Sequence, residues 1–167
     1  QTTLLTSFNS NGFSLSSDSN VNGSGSTYVA WQWQAGQGST SSNTSGSITS
    51  TVSVNTTAGF SIVTYTGTGA NATVGHGLGV APKMIIVKRR NSAQSWPVYH
   101  ASLGATKNLY LDLTDAAATA TAPWNDTSPT STVFTVGTSA ATNSGSGTYV
   151  AYCFAEIAGY SKFGSYT

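Results

Sequence analysis

The chain has 167 residues, of which 7% are charged and 38% are hydrophobic, and its formal net charge is +1. This apolar content is too high for a disordered segment and sufficient for one buried core, while the charge is too small to attract nucleic acid or an anionic membrane. The single cysteine, Cys153, excludes an intrachain disulfide framework. No apolar run approaches the roughly 20 residues of a membrane-spanning helix. We therefore expect no nucleic-acid partner and no membrane insertion.

The first elements in chain order are a short apolar strand near Phe13, an Asn/Ser/Gly turn and a second strand that begins at Tyr28. Together they predict a β-hairpin. Trp31 and Trp33 lie two residues apart on one face of the second strand, which indicates rings packed in a core. The Gly, Ser, Thr and Asn content of the next residues, 37–47, is typical of a flexible linker.

Beyond this linker, alternation with a period of two predicts short strands, and helical periodicity is nearly absent. The predicted strands are residues 48–54, 60–65, 84–87, 96–100, 108–113, 133–136 and 149–154. Residues 84–87 form a continuous apolar run, typical of a strand buried on both faces. Leu109, Leu111 and Leu113 are expected on one face of their strand. The only helical turn that we expect lies at residues 115–118.

The last predicted strand repeats the first hairpin. A Tyr-Val-Ala triplet with bulky rings at the same following positions occurs twice: Tyr28 with Trp31 and Trp33, then Tyr149 with Tyr152 and Phe154. The sequence therefore predicts an all-β fold, an antiparallel β-sandwich of the jelly-roll type built from repeated hairpin units. The predicted segments are a partial repeat at 1–36, a polar linker at 37–47, the main sandwich at 48–159, and at 160–167 the first strand of a following unit or an assembly strand.

Residues that could perform chemistry are few and scattered. The five carboxylates share no common strand face, and His76 and His100 lack Cys or carboxylate neighbours in a ligand spacing. Asp112 and Asp115 could meet a calcium ion, but such a site usually gathers more oxygen ligands. We therefore expect no catalytic residue, no cofactor and no bound metal.

Three aromatic residues are candidates for stacking on a sugar: Trp96, Tyr99 and Trp124. Trp96 and Trp124 are expected in or beside loops, where a ring can present its face to a glycan. Rings that plug the end of a sandwich are the competing interpretation.

Four stretches carry a resemblance to a known family: GHGLGVAPKMIIVKR (75–89), WPVYH (96–100), YVAYCFA (149–155) and GYSKFGSYT (159–167). Together they resemble a repeated domain of structural proteins in marine tailed bacteriophages. The resemblance runs from about residue 58 to the end, and residues 1–36 resemble the close of a preceding repeat. It implies a virion component, tail-fibre-like or on the capsid surface, that is extracellular after release.

Two hypotheses follow for its role and partners. In the first, a non-enzymatic virion protein contacts other virion subunits or further copies of itself, with host-surface polysaccharide as a candidate ligand. In the second, it is a self-assembling extracellular filament or adhesin subunit, joined head-to-tail by strand exchange. Each end of the chain has elements that the other lacks, so the ends could complete one sandwich within one molecule or between neighbours. The candidate assembly residues are Phe8, Phe13, Tyr160, Phe163 and Tyr166.

Overall fold

The structure, a computed structural model, describes residues 4–166. Residues 1–3 and 167, which belong to the predicted segments 1–36 and 160–167, lie outside the described residues. The chain forms two compact units, which divide between Trp33 and Gln34. This division lies a few residues before the linker that the sequence predicts at 37–47.

The N-terminal unit begins with a hairpin. Strands β1 (Leu5–Asn9) and β2 (Gly12–Leu15) pair antiparallel, with Phe8 opposite Phe13. A single helical turn, α1 (Ser19–Asn22), follows. Residues 26–33, where the sequence predicts a strand, form no regular secondary structure.

The second unit contains the remaining elements. They are β3 (Ser41–Asn43), β4 (Ser50–Asn55), β5 (Phe60–Thr66), β6 (Ala72–Gly75), β7 (Met84–Arg89), β8 (Pro97–His100), β9 (Lys107–Tyr110), β10 (Ala118–Thr119), α2 (Thr121–Trp124), β11 (Val133–Val136), α3 (Ala140–Asn143) and β12 (Thr148–Phe154). Eight strands form one antiparallel sheet in the order β10-β9-β8-β7-β12-β5-β4-β3, while β6 and β11 pair separately. Among residues 4–166, no helix has the length and apolarity to cross a membrane.

The core lies on one face of the large sheet, against the β6–β11 pair. Side chains from both sheets are fully buried there, including Val63, Val74, Ile85, Val87, Phe134 and Val136. Strand β12 shows the alternation that produces this face, because Tyr149, Ala151 and Cys153 are fully buried. The predicted all-β, antiparallel sandwich is therefore confirmed.

In its second copy, at residues 133–154, the repeated segment passes from one sheet to the other. Strand β11 pairs with β6, whereas β12 lies between β5 and β7 in the large sheet. The helical turn α3 makes this passage, and the Ser139 hydroxyl caps it by accepting a hydrogen bond from the Ala141 amide at 3.3 Å. In this second copy the unit is thus a strand, a helical turn and a strand in the other sheet, and the hairpin that the sequence predicts does not form, because β11 and β12 do not pair with each other.

Three local predictions were wrong. Strand β9 ends at Tyr110, because the chain turns at residues 111–112, and Leu111 and Leu113 are exposed. The helical turn expected at 115–118 lies a few residues later, in α2. The apolar run in β7 is fully buried on one face only, and its alternate residues on the other face are half-buried.

Candidate functional site

Two of the three candidate glycan-binding residues lie in the core. Trp124 is 1% exposed and Tyr99 is 4% exposed. Their rings pack edge to face, with centroids 6.1 Å apart and planes at 71°. Neither ring presents a face to a sugar, so the two residues fulfil the competing expectation of rings that fill the sandwich.

The third candidate, Trp96, is half-buried beside β8. Its backbone amide donates a hydrogen bond to Asp112 Oδ1 at 2.9 Å, and the Lys88 ammonium lies over its ring, 5.3 Å from the ring centroid. Lys88 is itself held by the Gln94 carbonyl. Cation–π contact and the backbone bond fix the ring in place, and part of the indole remains accessible.

The candidate assembly residues occupy two regions. Phe8 is 79% exposed on β1, while its cross-strand neighbour Phe13 is half-buried. Near the C-terminus, Tyr160 and Tyr166 are exposed, and Phe163 packs on Phe154 with ring centroids 6.1 Å apart.

The described residues of the C-terminal segment form no strand of the sheet. Ile157 and Ser161 exchange backbone hydrogen bonds across a tight turn, and the chain beyond it is irregular. The Phe163 amide donates to Glu156 Oε1 at 3.0 Å, which holds this segment back against the end of β12.

The two copies of the Tyr-Val-Ala phrase share one hydrogen-bonded motif, which we call the tyrosine clamp. In the first copy, the Tyr28 hydroxyl donates to the Ser19 carbonyl at 2.6 Å and accepts from the Gly23 amide at 2.8 Å. In the second, the Tyr149 hydroxyl makes the same bonds, to the Ala140 carbonyl at 2.9 Å and from the Ser144 amide at 2.6 Å. In each pair of equivalent residues, the two positions in the sequence are as far apart as Tyr28 and Tyr149.

The match extends to the helix caps and to the turn. Asp18 Oδ1 accepts from the Asn20 amide at 2.9 Å, as Ser139 does at its own helix. Gly25 and Ser146, one residue position in the two copies, both have a positive φ, of 76° and 58°. The sequence repeat is therefore a structural repeat in its local geometry.

The surroundings of the two copies differ. We call residues 133–154 the closed copy, because its Tyr149 is fully buried between two strands, and residues 12–33 the open copy. In the open copy, Tyr28 is 49% exposed, Trp31 is 75% exposed and Trp33 is 55% exposed. The expectation that the two tryptophans pack in a core was wrong, because the burial of a segment depends on partner strands that its own residues do not reveal.

Two buried ionisable side chains, His76 and Cys153, are part of the packed interior. His76 Nδ1 accepts from the Leu78 amide at 3.2 Å, so Nε2 carries the proton toward the Thr130 carbonyl, also at 3.2 Å. Burial lowers the pKa of His76, and the bond to Thr130 opposes this shift. Burial raises the pKa of the Cys153 thiol, which keeps it protonated and unreactive. Among residues 4–166, no three His, Cys, Asp or Glu side chains gather as a metal site would require.

The chain is an all-β protein that carries the tyrosine clamp twice, once beside a strand of the large sheet and once beside an exposed segment. The chain belongs to the family DUF7483, described as a domain of unknown function, whose model matches residues 1–167. No curated protein and no solved structure matches it.

Proposed function

We propose that this chain is a non-enzymatic structural component of a bacteriophage virion, tail-fibre-like or on the capsid surface, and extracellular after release. The exposure of the open copy is the observation that supports a role in assembly, because the side chains of Tyr28, Trp31 and Trp33 are largely accessible. An exposed segment of this kind is a site for strand addition, which gains both ladder hydrogen bonds and apolar burial. Its partners are then other virion subunits or further copies of the chain. The resemblance in sequence supports the virion as the setting.

Immunogold electron microscopy on purified particles, with an antibody against this chain, tests the location. Label on the tail or on the capsid surface, together with peptides of the chain in the particle proteome, is the expected result. A chain that is found only in the particle-free fraction would refute the virion proposal.

Host-surface polysaccharide is the candidate ligand of the same protein, and Trp96 is the residue through which it would bind. Trp96 is the one member of the predicted trio with an accessible ring, and the Lys88 ammonium beside it would favour an acidic glycan. Binding on a glycan array should be lost in Trp96→Ala and kept in the control Trp31→Ala. Equal binding by the two variants would show that Trp96 is not the contact.

A self-assembling extracellular filament is the second candidate function, and the same open copy favours it. Sedimentation of the isolated chain over a range of concentrations separates the two. Long polymers of the isolated chain support a filament subunit, whereas a monomer that labels only particles supports the virion protein.

A further inference from the structure

Within residues 4–33, the described part of its own unit, the open copy lacks three neighbours that the closed copy has. The first is the pair of flanking strands. In the closed copy, Tyr149 lies opposite Tyr65 of β5 on one side and opposite Arg89 of β7 on the other. Residues 28–33 of the open copy lie in no ladder.

The second missing neighbour is the counterpart of β6. In the closed copy, the Gly137 amide bonds to the Pro123 carbonyl, on the edge of β11 that faces away from β6. The equivalent Ser16 amide bonds to the Leu4 carbonyl, so β1 covers that same edge of β2. Backbone groups of alternate residues point to opposite edges of a strand. Among the described residues of the N-terminal unit, 4–33, no strand therefore lies on the edge of β2 that corresponds to the β6 side.

The third missing neighbour is a loop. Asn143 Nδ2 donates to the Gly137 carbonyl at 2.8 Å and to the Ala70 carbonyl at 2.6 Å, and its Oδ1 accepts from the Thr68 amide at 2.8 Å. The equivalent Asn22 keeps only the first of these bonds, from Nδ2 to the Ser16 carbonyl at 3.1 Å. Its remaining donor and acceptor correspond to those that hold the loop at residues 67–70.

In the closed copy, all three of these neighbours belong to one continuous part of the chain, residues 60–89. We propose that the open copy closes a second β-sandwich of this family, in which it supplies the central strand of the large sheet. The partner is a domain with counterparts of β5, β6, β7 and the loop at 67–70, and with an unfilled place between the first and the last of these strands. A folded copy of this chain does not offer that place, because its own β12 fills it.

One position defines the chemistry of the partner more closely. Gln32 of the open copy is equivalent to Cys153 of the closed copy, which is fully buried. When the open copy closes the second sandwich, the Gln32 amide therefore enters its core. A buried amide needs a hydrogen-bonding partner. Ser61 lies opposite Cys153 in the register, and its hydroxyl, which donates to the His76 carbonyl, still has lone pairs to accept a bond. The partner domain therefore carries a hydroxyl or a comparable group at the Ser61 position.

The experiment uses the full chain, extended before Gln1 by a second copy of residues 37–121. In this fusion, the added strands precede Tyr28 by the same number of residues by which the chain's own β5 and β7 precede Tyr149. Val150 lies opposite Thr64 in the register, so Val29→Cys is combined with Thr64→Cys in the added copy. The matched control combines Val29→Cys with Thr51→Cys, because Thr51 lies opposite Thr64 on the next strand outward.

The expected result is a disulfide that forms about tenfold faster, or more, in the Thr64 pair than in the Thr51 pair, since only the first meets the distance a disulfide requires. Hydrogen exchange of residues 28–33 should slow in the extended chain relative to the unextended one. Equal crosslinking rates in the two pairs, or unchanged exchange while residues 34–167 stay folded, would overturn the proposal. Association of the unextended chain through Tyr28 would overturn it too, since the partner would then be a folded second copy.

This inference rests on the assembly role proposed above, but the two can fail separately. Absence of the chain from particles would refute the virion setting and leave the crosslinking result unchanged. Labelled particles with no preference for the Thr64 pair would support the setting and refute the partner.

Discussion

The open and closed copies form the same local motif from sequences that are identical at only some positions, and yet they reach opposite degrees of burial. Tyr28 and Tyr149 make matching hydrogen bonds, but only the second lies in a sheet. The clamp and the helix cap form from residues close in sequence, so the local sequence is sufficient for them. Strand formation and burial depend on β5 and β7, which are distant in sequence. The comparison separates what this motif encodes by itself from what its neighbours provide.

The largest expected difference between the copies is at the clamp tyrosines. Tyr149→Ala should lower the free energy of unfolding by about 3–5 kcal/mol, because it empties a buried aromatic site whose ring stacks on Tyr65 at 5.1 Å. Tyr28→Ala should cost about 1 kcal/mol or less, since the ring is half exposed and mainly two hydrogen bonds are lost. Guanidinium unfolding of both variants measures the difference. Similar losses would mean that the open copy is packed as tightly as the closed one.

The paired asparagines should show a smaller difference. Asn143 is fully buried, and Asn143→Ala removes one buried bond, to the Gly137 carbonyl, and two partly buried bonds, to the Thr68 amide and the Ala70 carbonyl, a loss of about 2–3 kcal/mol. Asn22→Ala removes one exposed bond and should cost about 0.5 kcal/mol. Urea unfolding checks both values, and an Asn22→Ala loss as large as that of Asn143→Ala would contradict the vacancy beside Asn22.

The helix caps should show nearly equal effects in the two copies. Asp18→Ala and Ser139→Ala should each destabilise their own helical turn by about 1 kcal/mol, because capping is local and needs no distant strand. Hydrogen exchange at the Asn20 and Ala141 amides reports the two turns separately. If only the closed copy responded, α1 would not be an independently capped turn.

Acid should produce the smallest effect, and only in the unit that holds the closed copy. Burial lowers the pKa of His76 in the folded chain, so below pH of about 6.5 the unfolded chain binds more protons and stability falls as the pH decreases. A melting temperature measured between pH 8 and pH 5 should decline, and it should decline less in His76→Gln. The N-terminal unit contains no histidine, so the protection factors at residues 28–33, which are corrected for the pH dependence of intrinsic exchange, should stay constant over this range. Identical pH profiles for the two proteins would assign the decline to other groups.

The sequence predicts this fold well where a strand has alternating residues and clear turns. The strand at 133–136 was predicted at its observed bounds, and β5 within one residue. The alternation of Leu111 and Leu113 was a misleading signal, since it continues into the turn that follows β9.

The candidate site was harder to predict, for a physical reason. Trp31 and Trp33 have the pattern of core residues, and burial depends on strands that their own segment does not contain. Trp124 was expected in or beside a loop because α2 is a single turn too short to produce a helical period, and this turn places Trp124 in the core. The clamp itself could have been found from the constant spacing between Tyr28 and Ser19 and between Tyr149 and Ala140.

The central position of β12 has a consequence for the order of folding. Its partners β5 and β7 precede it by long stretches of chain, so the sheet can close only after large loops have formed, which slows folding. During synthesis, β5 and β7 emerge well before β12 and wait with their inner edges unpaired. A nascent chain of this protein therefore exposes two unpaired strand edges at the centre of its sheet until its last strand has been made.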